Sequence, residues 1–252
     1  MNALIRAELL KVRSTRLWIG MAVGAVGLTA VSTVLFLALA NTANAQAQGL
    51  RPVVTTDDLR QLVFQASGTI AFVLVLAATM ATTEFRYGTA SGTYLAVPSR
   101  VRMIGAKSIA AAVVGALYGV AASTVTVLIA VAWLGLGGKS VPLGAPVLGA
   151  IAQEGLRCAY GAALAVGVGA ALRSQLVAIL GLLGWLFVVE PIGIALLPRF
   201  ARWLPFAGVA GAFGSSRDGA DVFGWAAGLA IAVIYVASVW ASAVWLEQRR
   251  DV

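Results

Sequence analysis

Six apolar runs, each long enough to cross a bilayer, take up most of this chain: about Leu17 to Ala40, Leu62 to Ala81, Ile109 to Leu136, Leu148 to Leu172, Leu176 to Leu197 and Val222 to Leu246. A hydrocarbon core takes roughly 20 apolar residues of helix to span. Inside it every backbone amide must be paired within the protein, so open strands and loops are excluded. The expected fold is therefore all-α, a polytopic membrane protein of six transmembrane helices forming a single domain over residues 1–252. Composition agrees, since 60% hydrophobic and 11% charged residues with a mean hydropathy of +0.92 cannot clothe a polar exterior. The third run is longer than a bilayer requires, which predicts tilt or projection beyond the headgroups. Trp18, Trp133, Trp225 and Trp245 mark run ends, as interfacial rings do. Trp185 does not fit, because it lies mid-run.

Basic residues set the orientation. Arg6, Lys11, Arg13, Arg16, Arg86, Arg100, Arg102, Lys107, Arg173, Arg249 and Arg250 fall on one side, eleven in all. The other side carries six, Arg51, Arg60, Lys139, Arg199, Arg202 and Arg217, with Arg157 inside a run. The bias predicts both termini in the cytoplasm of a multi-pass plasma-membrane protein. A secretory signal is a competing reading of the N-terminus, because "ALANTANAQA" offers small residues after the first run. That run is 24 residues long, however, against about 7 to 15 for a signal core. Before it, Ile5, Leu9 and Val12 share a helical face, with Arg6 and Arg13 on one flank and Glu8 and Lys11 on the other. Residues 1–16 thus read either as a helix lying at the membrane interface or as a plain basic topology anchor.

Sites of chemistry are scarce. Histidine is absent and Cys158 is the single cysteine, so neither a catalytic constellation nor a metal site is expected. Gly138-Lys139-Ser140 matches the end of a phosphate-binding loop, but the required earlier glycine position holds Trp133. "GVGAAL" from Gly167 lacks the third glycine of a dinucleotide fingerprint. Three GxxxG pairs, Gly20/Gly24, Gly115/Gly119 and Gly224/Gly228, are candidates for close helix packing.

Charges within the runs are more informative, because each costs about 2.5–3.5 kcal/mol at mid-bilayer. Glu154 and Arg157 lie three apart and share a face. They form either an ion pair inside the bundle or part of a substrate path. Glu190 precedes Pro191, whose ring frees a backbone carbonyl. These two residues mark either an outer gate or the place where the span ends. The following segment, 198–221, is apolar but broken by Pro205 and several glycines, which suits short helices re-entering the outer leaflet against protein.

The segment Thr82 to Ser108, "TTEFRYGTASGTYLAVPSRVRMIGAKS", is the longest polar interruption. Gly88 and Pro98 bound a short stretch, Thr89 to Val97, that predicts a surface helix exposing Tyr94 and Leu95. The segment resembles the intracellular loop of type-two ATP-binding-cassette exporter permeases, whose pattern runs E-[FY]-R-x-G-T, then L, P-x-R and G-x-K. Glu84, Arg86, Gly88, Thr89, Leu95, Pro98, Arg100, Gly105 and Lys107 occupy those positions. The resemblance implies that residues 82–108 form a cytoplasmic coupling loop whose helix seats in a cytosolic ATPase subunit. In that reading Glu84, Arg86, Gly88, Thr89, Tyr94, Leu95, Pro98 and Arg100 would carry the coupling. It further implies a second permease subunit, a membrane-lipid environment and no nucleic acid among the partners. No cofactor is expected in this chain, ATP and Mg being bound by the ATPase. The implied activity is export of a hydrophobic or amphipathic substrate such as a drug, peptide antibiotic or lipid. The alternative from the residues alone is a secondary transporter or channel using Glu154, Arg157 and Glu190.

Overall fold

A computed structural model of the protein describes residues 1–40, 42, 52–66, 68–89, 92, 99–138, 143–211, 213 and 223–249. Every regular element among them is helical. Helix α1 (Asn2–Ser14) precedes the first span, α2 (Leu17–Leu39). The second span is built from α3 (Thr56–Ala66) and α4 (Thr69–Arg86), the third is α5 (Arg100–Leu136) and the fourth is α6 (Ala145–Leu172). The fifth span, α7 (Gln175–Leu196), contains a π turn over Trp185–Val189. A 3-10 turn (Pro198–Trp203) and the short α8 (Gly208–Gly211) lead to α9 (Trp225–Arg249), the sixth span. Among the described residues six helical stretches are long and apolar enough to cross a membrane.

Three helices hold the core. Buried side chains of α4 and α6, chiefly alanine, valine and leucine, make the main cluster, and α5 packs most extensively against α6. Small residues let these backbones approach closely, which in lipid substitutes for the missing hydrophobic drive between helices. A Cβ on Gly115 would lie 2.8 Å from the carbonyl oxygen of Cys158, and one on Gly119 2.7 Å from that of Glu154. Gly115/Gly119 is therefore a true packing motif. Gly20 and Gly224 have open space where a Cβ would go, so their patterns do not make the same contact.

Polar groups add pairwise ties. The Thr29 and Thr69 hydroxyls lie 3.2 Å apart, and Thr33 donates to Thr126 at 3.3 Å, joining α2 to α4 and α5, with all four residues fully buried. Trp240 of α9 donates to the Ala163 carbonyl of α6 at 3.2 Å. At the far end α3 begins with a reciprocal cap. The Asp58 carboxylate accepts from the Thr55 amide at 2.7 Å, while the Asp58 amide donates to the Thr55 hydroxyl at 3.2 Å. This cap starts the second helical stretch at Thr56, ahead of the expected Leu62, and α3 buries Leu59, Leu62 and Val63 despite its charged first turn.

The described part of the segment from Pro198 packs back against the bundle. Phe206, Val209 and Phe213 are buried in the main cluster, and the Tyr235 hydroxyl of α9 donates to the Trp203 carbonyl.

Candidate coupling site

The polar interruption is shorter than the sequence suggests. Helix α4 runs on through Glu84 to Arg86, and α5 starts at Arg100 with the Ser99 hydroxyl as its cap, which confines the connection to residues 87–99. Gly88 ends α4. Its φ of +68° is the left-handed geometry that glycine adopts without strain, and it lets the Thr89 amide bond back to the Glu84 carbonyl at 2.9 Å. This is the six-to-one closure of a glycine-terminated helix. Tyr94, Leu95 and Pro98 lie outside the described residues.

Four charges clamp this corner. Lys107 of α5 donates to Glu84 of α4 at 2.9 Å and to Glu8 of α1 at 3.0 Å. Lys11 donates to Glu8 at 2.6 Å and to the same Glu84 oxygen at 2.7 Å. Two ammonium groups and two carboxylates thus alternate in a closed, net-neutral ring. Lys107 is deeply buried, whereas Lys11 caps the ring from the solvent side. Burial opposes the Lys11 charge, but hydrogen bonds and attraction from Glu8 and Glu84 outweigh it and hold the ammonium above the usual lysine range. Helix α1 does not simply float at an interface: Glu8 and Val12 are its buried residues, so an acid sits in its inward seam.

Arg86 points elsewhere. It donates to Gln175 at the start of α7 at 2.9 Å and lies over the Tyr87 ring, while Gln175 donates to Thr79 at 3.3 Å. Arg100 is the first residue of α5. Glu84, Arg86, Gly88, Thr89 and Arg100 thus gather at one end of the bundle. Glu8, Lys11 and Lys107 complete the ring but were not among the residues singled out for coupling. The available signal was Glu8 on the flank of the Ile5, Leu9 and Val12 face, about 40° from Val12 on the helical wheel.

The other candidates lie apart. Arg157 grips Glu154 bidentately, Nε to Oε2 at 2.8 Å and Nη2 to Oε1 at 2.7 Å, with Glu154 fully buried against Gly119. Glu190 is also buried. It accepts from the Trp185 indole at 3.1 Å and from the Phe206 and Ala207 amides at 2.8 and 2.7 Å. The helix does not break at Pro191. The π turn ahead of it absorbs the proline and α7 continues to Leu196.

This arrangement is one of scaffold and linkage, built from paired charges and capped helix ends. Residues 4–193 match the family model described as ABC-2 family transporter protein. No curated protein matches the chain. The match runs from α1 into the end of α7, so it takes in the charge ring and the 87–99 connection together. The chain belongs to the ABC-2 transporter membrane family, as a multi-pass permease subunit that is not itself catalytic and that works with a partner ATPase.

Proposed function

We propose that the protein is one half of an ATP-driven exporter: two permease subunits flank the path, and a cytosolic ATPase, with its ATP and Mg, docks on residues 89–97 through Tyr94 and Leu95. The observation that carries this reading is the ring of Glu8, Lys11, Glu84 and Lys107. It ties the helix entering the connection, the helix leaving it and α1 into one unit. A push on the connection is then passed to two spans at once. The termini face the cytoplasm, where the excess of basic residues is retained. The cargo is hydrophobic or amphipathic and enters between subunits or from the lipid. Glu190 acts at the outer mouth, where its release of the Phe206 and Ala207 amides would free the re-entrant segment. The full engagement of Glu154 by Arg157, and of Glu190 by backbone amides, supports structural roles over ion coupling.

Replacing Tyr94 and Leu95 by Asp tests the docking. Aromatic and aliphatic anchors in such contacts are worth about 2 kcal/mol or more each, so the double variant should insert normally yet lose ATPase copurification and transport. Normal transport by that variant would reduce the connection to a linker. Cysteines at 100 and 139, probed with an impermeant thiol reagent, should label from opposite faces, and labelling from one face would overturn the topology.

A further inference from the structure

Arg173, in the turn between α6 and α7, carries a donor edge that no acceptor among the described residues uses. Its φ of 54° is left-handed, a conformation that helix ends ordinarily give to glycine. An arginine gains nothing from that backbone, so the reason for it lies in the side chain. The guanidinium rests 5.2 Å from the Phe85 ring centroid, while its Nε and Nη2 are shielded and donate to no acceptor among the described residues.

Those two atoms form one edge of the guanidinium. On Arg157 the same edge closes on Glu154 with two parallel bonds of 2.8 and 2.7 Å. Arg173 thus carries, shielded and with no acceptor among the described residues, the fork that matches a planar carboxylate or a phosphate. Arg86 stands beside it: it follows Phe85 in the chain, and its Nη1 donates to Gln175, two positions after Arg173. Among the described residues no carboxylate pairs with either arginine, whereas the neighbouring charge ring is internally neutral.

The surroundings identify the anion. Arg86 is the last residue of α4 and Arg173 the first after α6, so both sit where spans end, at headgroup depth. Directly along the bundle surface Leu172, Leu176, Val177 and Leu180 are exposed. A docking protein meets its partner in water, but this corner is continuous with a lipid-facing aliphatic strip. We propose that Arg173 and Arg86 bind the phosphate of a membrane phospholipid, with its acyl chains lying along Leu172, Leu176, Val177 and Leu180. Arg173 keeps partial contact with solvent, so a rotamer change opens its donor edge to the ligand.

Native mass spectrometry of the full chain in mild detergent tests this with phosphatidylglycerol, phosphatidylcholine and a diacylglycerol of the same tails. Both phospholipids should bind, and the diacylglycerol about tenfold more weakly, because the phosphate carries the recognition. Arg173→Gln should lower retention of both phospholipids about fivefold or more, and Arg86→Gln by less. Arg173→Gly relieves the left-handed strain, so it should raise the lipid-free thermal midpoint yet lose phospholipid just as Arg173→Gln does. That combination separates binding from misfolding. Unchanged retention in both Arg173 variants would overturn the proposal. So would equal binding of the diacylglycerol, which would place the affinity in the apolar strip alone. Intact phospholipid retention with loss of ATPase copurification would overturn it too, assigning the fork to an acidic side chain of the ATPase.

Discussion

Trp185 and Glu190, five positions apart on α7, are joined side chain to side chain, the indole donating to Oε1 at 3.1 Å. In an α-helix such positions diverge by about 140°. The π turn between them brings both to one side, and it is the reason a tryptophan lies mid-span. Glu190 then holds the returning chain through the Phe206 and Ala207 amides.

Glu190→Gln should therefore loosen the segment after Pro198 rather than the bundle. A carboxamide has one acceptor oxygen for three donors, and hydrogen bonds to a charged group contribute about 1.5–3 kcal/mol. The expected result is a lower thermal midpoint with a red-shifted Trp185 emission, and Glu190→Ala should be worse. An unchanged midpoint in both variants would mean that the carboxylate does not hold that turn.

Lys107→Met and Lys11→Met should differ sharply although both lysines touch the same two acids. The Lys107 side chain is 5% exposed and that of Lys11 50%. Removing the buried cation leaves two carboxylates sharing only the half-exposed Lys11, at a cost of up to about 3–5 kcal/mol. Removing the exposed one should cost about 1 kcal/mol or less. Thermal unfolding in detergent measures the difference, and proteolytic nicking near residue 15 should report release of α1 in the Lys107 variant. Adding Glu8→Gln and Glu84→Gln to Lys107→Met should recover part of the loss.

Arg157→Ala should destabilise far more than Arg60→Ala. Arg157 neutralises a fully buried Glu154 inside a span, whereas Arg60 pairs with an exposed Asp57 at 3.2 Å. The expected costs are about 3–5 kcal/mol and under about 1 kcal/mol. Glu154→Gln with Arg157→Gln should restore most folding. If the double variant folds but does not transport, the pair lines the path.

Gly119→Ala should fail where Gly20→Ala succeeds. The added methyl on Gly119 meets the backbone carbonyl of Glu154, which cannot rotate away, whereas the one on Gly20 meets nothing. Overpacking of this kind costs about 1–3 kcal/mol. Expression level and thermal midpoint read the contrast directly.

The spans were legible because hydrocarbon length is a local property: α2 and α7 begin and end within a residue or so of their apolar runs. Two kinds of feature were not legible. Helices that continue past charges look like loops, so α4 and α5 appeared to stop short of Glu84 and Lys107 when mutual neutralisation lets both run on. Contacts between distant positions leave no spacing signal, and Lys11 meets Glu84 across 73 residues and Lys107 meets Glu8 across 99. The three GxxxG patterns looked alike for the same reason. What distinguishes Gly119 is the helix opposite it.

The third span has one further consequence. Helix α5 is 37 residues long, contains no proline and at 1.5 Å per residue is a rod of about 55 Å, nearly twice the depth of the oily layer. The charge ring fastens it near one end at Lys107, while Leu134 lies buried near the other. Pivoted at that ring, a tilt of only ~5° would swing the distant tip by roughly 4 Å over such a length. A small rotation on one face of the membrane is thereby magnified into a displacement the width of a side chain on the opposite face.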